Sequence, residues 1–152
     1  VDSEVDFVSG LNQKRVWDHV TNADHAQVSI NFKDGLQAIF INSDLAAARK
    51  PKFYVLGTKG ALIGDWDESA GGPVADLPAI ITLHRADGSS DVIGHIAQAP
   101  HSFYASLVSY LHDATPMSVV AEQSRDVVAI MQAAEESALA NGKPVTPLLL
   151  RA

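Results

Sequence analysis

Three carboxylates stand close together near the middle of this chain, and they are the side chains best suited to chemistry. Asp65, Asp67 and Glu68 flank Trp66 at the end of a short apolar segment. Carboxylate oxygens at this spacing can accept hydrogen bonds from a polyol or an amine substrate. In a loop rich in Asp and Gly, such residues are more often simply solvated. The sequence leaves both interpretations open.

A local basic cluster is the second candidate. Arg49, Lys50 and Lys52 precede an apolar segment, where they could be no more than a solvated strand end. A guanidinium at the rim of a sheet can instead bind an anion or a hydroxyl group. Trp66, like Trp17, lies in or near a loop, and its ring could form an aromatic wall of a pocket or be partly buried at a strand end.

The Gly-Thr-Lys-Gly segment at residues 57–60, with Gly64 beyond it, superficially resembles a phosphate-binding loop. It has neither the G-x-x-x-x-G-K-[ST] spacing nor the G-x-G-x-x-G fingerprint. The apolar residues after it predict a strand, so no helix N-terminus would face a phosphate. We therefore predict a structural turn between two strands.

Other catalytic and metal-binding patterns do not emerge. His84 and His95 lie on the two strands of one predicted hairpin and could face each other, but no histidines have the spacing of a metal-ligand pair. The chain contains no cysteine and no G-x-S-x-G nucleophile elbow. We predict no catalytic, cofactor-binding or metal-binding residue in this chain. The six histidines are His19, His25, His84, His95, His101 and His112.

The composition restricts the class of protein. The 152 residues are 47% hydrophobic and 19% charged, as in one globular domain. A net charge of -7 with scattered acids argues against nucleic-acid binding. No apolar run approaches the roughly 20 residues that span a bilayer, and early acidic residues exclude a signal peptide. The lack of cysteine favours a cytoplasmic protein. The chain begins at Val1 rather than Met, so we expect a truncated or processed start.

Apolar patterns predict an order of strands first and helices last. This order favours an α+β fold, a predominantly antiparallel sheet of hairpins with helices on one face and the other face open. Turn signals such as Asp34-Gly35 separate the strands, and residues 12–25 read as a loop. The predicted strands cover residues 1–7, 28–32, 36–41, 52–56, 61–66, 79–84 and 91–96. The first predicted helix begins near Ser102 and is broken by Thr115-Pro116, and the second covers residues 121–141.

Two elements carry more specific expectations. The segment 36–41 is apolar on both faces, so it should be central in the sheet or have one face against a partner. The last helix should end at Gly142 in a left-handed C-cap, and Pro144 prevents its continuation. Helical spacing predicts its buried stripe, made of Val127, Met131, Ala134 and Ala138.

Three segments, taken in order, resemble the C-terminal domain of the Gfo/Idh/MocA family, the glucose–fructose oxidoreductase and inositol dehydrogenase group. A Phe-Lys-Asp-Gly hairpin at 32–35 comes first, and a V-x-G-x-x-G turn at 55–60 between two strands follows. An alanine-rich helix with a Glu/Ser pair at 133–138 and the Gly-Lys-Pro-Val exit at 142–145 complete the pattern. The similarity covers most of the chain.

The resemblance implies one domain, residues 1–152, of a two-domain NAD(P)-dependent oxidoreductase. NAD or NADP and a catalytic Lys would belong to an N-terminal Rossmann domain absent from this chain, so this domain alone should bind no cofactor and be inactive. It would bind part of a sugar, polyol or related hydroxylated substrate, with Arg49 as the substrate-binding residue. It would also form a homo-oligomer, a dimer or larger, through the open sheet face.

Two other classes of function compete with this interpretation. A self-contained α+β module could bind a small ligand or a partner in a pocket between sheet and helices. An autonomous hydrolase would need a nucleophile, a base and oxyanion donors that converge, and the sequence does not provide a recognisable set.

Overall fold

The computed structural model describes residues 3–94 and 101–150. The chain divides into two compact units, Val1–Ala46 with Ser102–Ala152 and the intervening Ala47–His101. Each unit contains an antiparallel sheet of hairpins, and the first also contains both described α-helices. The predicted α+β class is therefore correct. The strands form two sheets in the described residues, whereas the sequence had suggested one.

The first unit has strand order β1-β2-β3 and the second has β4-β5-β6-β7. Two short 3-10 turns, Glu68–Ala70 and Val74–Asp76, follow β5. Neither α-helix in the described part of the chain is long and apolar enough to cross a membrane. The bounds in the first unit are β1 Val5–Gln13, β2 His25–Phe32, β3 Gln37–Ser43, α1 Ser102–Asp113 and α2 Ala121–Leu139. Those in the second unit are β4 Phe53–Gly57, β5 Gly60–Trp66, β6 Ala79–Arg85 and β7 Ser90–Ile93.

The first strand extends further than its side chains predict. The sequence placed a strand at 1–7 and a loop from residue 12, but β1 continues to Gln13, which pairs with His25 of β2. Its last residues are polar and mostly exposed, so backbone pairing rather than hydrophobic burial extends the strand. The ends of two predicted strands, at 1–2 and 95–96, lie outside the described residues.

Helix α2 packs against β1 and forms the core of the first unit. Val8 is fully buried there, together with Ala133 and Ala134 of the helix. Val28, Ile30 and Phe32 of β2, the alternating residues that predicted this strand, pack against the same cluster. The hairpin at Asp34-Gly35 forms as predicted, with β2 and β3 antiparallel on either side of it.

Of the four residues in the predicted buried stripe of α2, only Ala134 is buried. Val127 and Met131 are 57% and 65% exposed, and Ala138 is only partly buried, whereas Ala133, Ala134 and Ser137 are buried. The reason is the closeness of the strand, because a Cβ atom placed on Gly10 of β1 would lie 2.0 Å from the carbonyl oxygen of Ala134. Only small side chains fit on a helix face at that distance.

The end of α2 is fixed to β1 by the chain that follows it. Gly142 has the predicted left-handed conformation, with φ 80, but the helix ends earlier than predicted, at Leu139, and Asn141 with φ 57 is the first left-handed residue after it. The segment then returns alongside β1, where Val8 and Val145 exchange backbone hydrogen bonds of 2.8 and 2.9 Å. This exit segment therefore acts as a further strand-like partner of β1.

Strand β3 is an edge strand, not a central one as its two apolar faces had suggested. Ile39 and Phe40 are 57% and 63% exposed. Helix α1 also has no buried residue. Exposed apolar side chains on a sheet edge are uncommon in a stable monomer, because they favour association.

Asp24 holds the loop between β1 and β2 in a fixed conformation. Its side chain is fully buried and accepts hydrogen bonds from the backbone N–H groups of Arg15, Val16 and Trp17, at 2.8, 2.7 and 3.1 Å. Burial raises the pKa of the Asp24 carboxyl, but the hydrogen bonds from Val16, Arg15 and Trp17 outweigh it and lower the pKa to about 2.

We expect Asp24 to make the first unit sensitive to acid. A carboxyl with a pKa of about 2 in the folded state and an ordinary value of 3.8 contributes stability that is present above pH 4. This contribution disappears as the pH falls from about 4 to about 2. In a Trp66→Phe background, where Trp17 is the sole fluorescent reporter, Asp24→Asn should lower the urea midpoint at pH 7 and weaken the dependence of that midpoint on pH between about 4 and 2.

Asp18→Asn is the matched control for Asp24→Asn, since Asp18 is an exposed carboxylate of the same loop. It should leave both the urea midpoint and its pH dependence unchanged. Equal acid sensitivity of the parent chain and Asp24→Asn would show that the carboxylate of Asp24 does not stabilise the loop.

Candidate functional site

The basic residues before β4 surround the indole ring of Trp66. The Lys52 Nζ lies 4.6 Å from the ring centroid and the Arg49 Cζ lies 5.8 Å from it, both within the range of cation–π attraction. The indole Nε1–H donates a 2.8 Å hydrogen bond to the carbonyl oxygen of Lys50. Lys52 also donates to the carbonyl oxygen of Leu77. The side chains of Arg49 and Lys52 therefore contact Trp66, whereas the side chain of Lys50 is exposed.

Antiparallel register explains why these residues meet. Strands β4 and β5 pair with Phe53 opposite Gly64, so the residues just before β4 lie beside those at the end of β5. The turn at 57–60 that sets this register is structural, as predicted, because it connects two strands. A Cβ atom on Gly60 would lie 2.3 Å from the carbonyl oxygen of His84 on β6, so glycine is required at this close approach.

Arg49, the residue predicted to bind substrate, pairs with Glu68. The Arg49 Nη1 is 2.8 Å from the Glu68 Oε1, and the two side chains are 41% and 75% exposed. An ion pair this exposed contributes little stability because water and salt screen it. The guanidinium has five N–H donors, so it can bind a ligand while Glu68 stays in place or moves away.

The three carboxylates near Trp66 have different environments. Asp67 is buried, and it accepts a 3.0 Å hydrogen bond from the backbone N–H of Ser69, which caps the following 3-10 turn. The solvated interpretation is therefore wrong for Asp67. Asp65 is exposed, and within the described residues its carboxylate has no hydrogen bond or ion pair. Asp65 and Glu68 are the two carboxylates available to a ligand.

These side chains line an open cleft within the second unit. Its volume is about 420 Å³, and its walls are Ala47, Arg49, Asp65, Trp66 and Glu68. Small-molecule sites commonly occupy roughly 300 to 1,000 Å³. The cleft combines one guanidinium, two carboxylates and an indole, so it can donate and accept hydrogen bonds to one ligand.

Within the residues that the structure describes, the remaining candidates do not form a site. His84 lies on β6 opposite Ser90 of β7, and its predicted partner His95 is outside the described residues. Trp17 belongs to the first unit, where its ring is 6.3 Å from that of His19. Among residues 3–94 and 101–150, no group of three or more His, Asp or Glu side chains could hold a metal ion.

Comparison with solved structures places the fold among NAD-binding proteins and oxidoreductases. The chain is similar to an NAD-binding protein from Listeria innocua, with a TM-score of 0.70 and 23% identity over 97% of this chain and 42% of that one. Two further similar structures are named "putative" oxidoreductases. The one from Klebsiella pneumoniae has a TM-score of 0.78 and 20% identity, covering 97% of this chain and 45% of that one. The NADPH-dependent one from Desulfitobacterium hafniense has a TM-score of 0.74 and 20% identity, covering 93% of this chain and 42% of that one.

These similarities establish the fold, and the chain spans less than half of the length of each of these structures. No protein-family model matches the sequence, and no curated protein matches it.

Proposed function

We propose that this chain is the C-terminal substrate-binding and oligomerisation domain of an NAD(P)-dependent oxidoreductase of the Gfo/Idh/MocA type. The substrate is a sugar, a polyol or a related hydroxylated compound. NAD or NADP is held by a Rossmann domain that precedes these residues in the complete, cytoplasmic protein. The observation that carries the proposal is structural similarity over 93 to 97% of this chain to 42 to 45% of the three oxidoreductases and NAD-binding proteins described above.

The cleft supports a binding role rather than a chemical one. It contains hydrogen-bond donors and acceptors around an aromatic ring, but a hydride donor has to come from a cofactor. Arg49 is the substrate-binding residue of the proposal, because its guanidinium reaches the cleft and is only loosely paired with Glu68. The contribution of this domain is then to bind and orient the hydroxylated substrate.

The exposed apolar strand β3 supports the second part of the proposal, association with another copy of the protein. Ile39, Phe40 and Ile41 are 57%, 63% and 37% exposed on a sheet of hairpins. Burial of such residues against an identical surface is a common way to form a symmetric dimer. We expect Phe40→Glu to shift the full-length protein toward the monomer in sedimentation.

The complete protein provides the direct test of the proposed reaction. It should reduce NAD or NADP with a sugar or polyol, whereas the 152 residues alone should bind no NADH in a calorimetric titration. Tight NADH binding by these residues alone would contradict the assignment. Failure of the complete protein to turn over any hydroxylated substrate in a broad panel would contradict it as well.

Arg49→Ala in the complete protein should lower kcat/KM about tenfold to a hundredfold, mainly through KM. The physical reason is the loss of charge-assisted hydrogen bonds to substrate hydroxyl groups, each worth roughly 1.5 to 3 kcal/mol. Steady-state kinetics with the best substrate of the panel measures the change. Arg49→Lys should recover only part of the loss, since a single ammonium cannot replace the planar fork.

Arg85→Ala is a closely matched control. Arg85 pairs with Asp91 at 2.5 Å in the same unit, and its side chain is 42% exposed, close to the 41% of Arg49. It lies outside the cleft, so its replacement should leave KM unchanged. An equal effect of the two substitutions on KM would show that Arg49 does not bind the substrate.

A further inference from the structure

We propose that the cleft around Trp66 selects an uncharged hydroxylated group over a carboxylated one, and that Asp65 is the residue that sets this preference. The inference deepens the proposed function and rests on it, because it uses the same cleft and the same Arg49. It adds a specificity-determining residue and a charge rule for the ligand.

The lining of the cleft is mixed in a way that restricts its ligand. Arg49 offers only donors, whereas Asp65 and Glu68 offer only acceptors when ionised. A hydroxyl group both donates and accepts, so neighbouring hydroxyls can satisfy both kinds of partner. The ring of Trp66 adds an apolar surface against which the C–H groups of such a ligand can pack.

Charged ligands meet repulsion in the same cleft. An anion that approaches Arg49 also approaches Asp65 and Glu68, two carboxylates against one guanidinium among the lining residues. A cation meets Arg49 itself in the same lining. Lys52, whose Nζ lies 4.6 Å from the ring centroid of Trp66 and donates to the carbonyl oxygen of Leu77, is not one of the lining residues. A neutral ligand meets neither penalty, and like-charge contacts are an effective way to reject wrong partners.

Asp65 and Glu68 act differently in this selection. Glu68 lies 2.8 Å from the Nη1 of Arg49. An anionic ligand on the other N–H groups of this guanidinium is therefore close to the carboxylate of Glu68, whereas a hydroxyl in the same place meets no like charge. The carboxylate of Asp65 has no partner in the part of the chain that the structure describes. Its negative charge is therefore not engaged in an ion pair with a described residue before a ligand binds.

Fluorescence of Trp66 provides a readout that needs no cofactor and no turnover. The chain has two tryptophans, so Trp17→Phe makes Trp66 the sole reporter. Sorbitol and sodium gluconate are suitable probes because both have six carbons and differ by one carboxylate. Sodium chloride added to the sorbitol titration keeps the ionic strength equal.

We expect sorbitol to bind more tightly than gluconate to the Trp17→Phe chain. Asp65→Asn should shift the ratio of the two dissociation constants about tenfold toward gluconate, the effect of removing one like charge at contact distance. Glu68→Gln should shift the ratio in the same direction, because it releases Arg49. Asp76→Asn, an exposed carboxylate of the same unit outside the cleft, should leave the ratio unchanged.

Tighter binding of gluconate than sorbitol, or no saturable response to sorbitol, would overturn the inference. An unchanged ratio in Asp65→Asn, with unchanged circular dichroism, would also overturn it, whatever the effect of Glu68→Gln. The proposed function fails by a different measurement, the absence of NAD(P)-dependent turnover in the complete protein. The two failures are therefore distinguishable.

Discussion

Gly10→Ala should destabilise the first unit by about 3 kcal/mol, and this is one of the two largest effects that we expect. A Cβ atom at this position of β1 would lie 2.0 Å from the carbonyl oxygen of Ala134 and 3.2 Å from its Cα. Both atoms are backbone, so the contact cannot be relieved by a rotamer change. Helix α2 has to move away from β1, and that movement opens the core around Val8.

The loss is measurable by urea unfolding followed by far-UV circular dichroism and, in a Trp66→Phe background, by the fluorescence of Trp17. For a chain of this size, about 3 kcal/mol corresponds to a fall in Tm of roughly 6 to 12 °C. Gly94→Ala is the control, because a Cβ there meets no atom within 4 Å. It should change stability by less than about 0.5 kcal/mol. A comparable stability of Gly10→Ala and the parent chain would contradict the close packing of α2 on β1.

Ser137→Ala should also destabilise the first unit by about 3 kcal/mol. The Ser137 hydroxyl is fully buried, accepts a 2.9 Å hydrogen bond from the N–H of Gly10 and donates a 2.6 Å bond to the carbonyl oxygen of Lys143. One side chain thereby connects β1, α2 and the exit segment. Alanine would remove the partner of the buried N–H of Gly10 and of the part-buried carbonyl oxygen of Lys143, at roughly 1 to 3 kcal/mol for each buried group left unpaired.

Ser124→Ala is the matched control on the same helix. Its hydroxyl is exposed and contacts only the carbonyl oxygen of Val120 at 3.5 Å, so its loss should change stability by less than about 0.5 kcal/mol. Hydrogen exchange gives a second readout, since the amide of Gly10 should lose protection in Ser137→Ala. Retained protection of that amide would mean that the serine hydroxyl does not hold the strand.

The candidate site was only partly predictable from the sequence. Arg49 and the acidic residues near Trp66 were recognised, but as separate hypotheses. A tight turn at residues 57–60 implies a register in which residues near 51 lie opposite residues near 66, as the structure has them. The predicted turn could therefore have indicated that the basic residues before β4 lie close to the acidic residues at the end of β5. The contact of Lys52 with the ring of Trp66 and the burial of Asp67 depend on side-chain packing and had no local signal.

The loop between β1 and β2 is a clear case of what local patterns miss. The sequence read residues 12–25 as an unremarkable polar loop, yet Asp24 organises it through three backbone N–H groups. Polar residues between two strands predict a loop whatever its internal structure. Only the folded chain places the buried carboxylate within reach of those groups.

The sequence by itself determined the class of fold, the hairpins and the two helices, because these depend on short-range periodicity and on turn residues such as Asp34-Gly35. It also predicted the left-handed turn at Gly142 that follows the end of the helix. Tertiary structure decided which face of α2 is buried. Hydropathy favoured Val127 and Met131, but the approach of β1 at Gly10 selected Ala134 and Ser137, because in a close-packed interface the available space overrides the apolar character of a side chain.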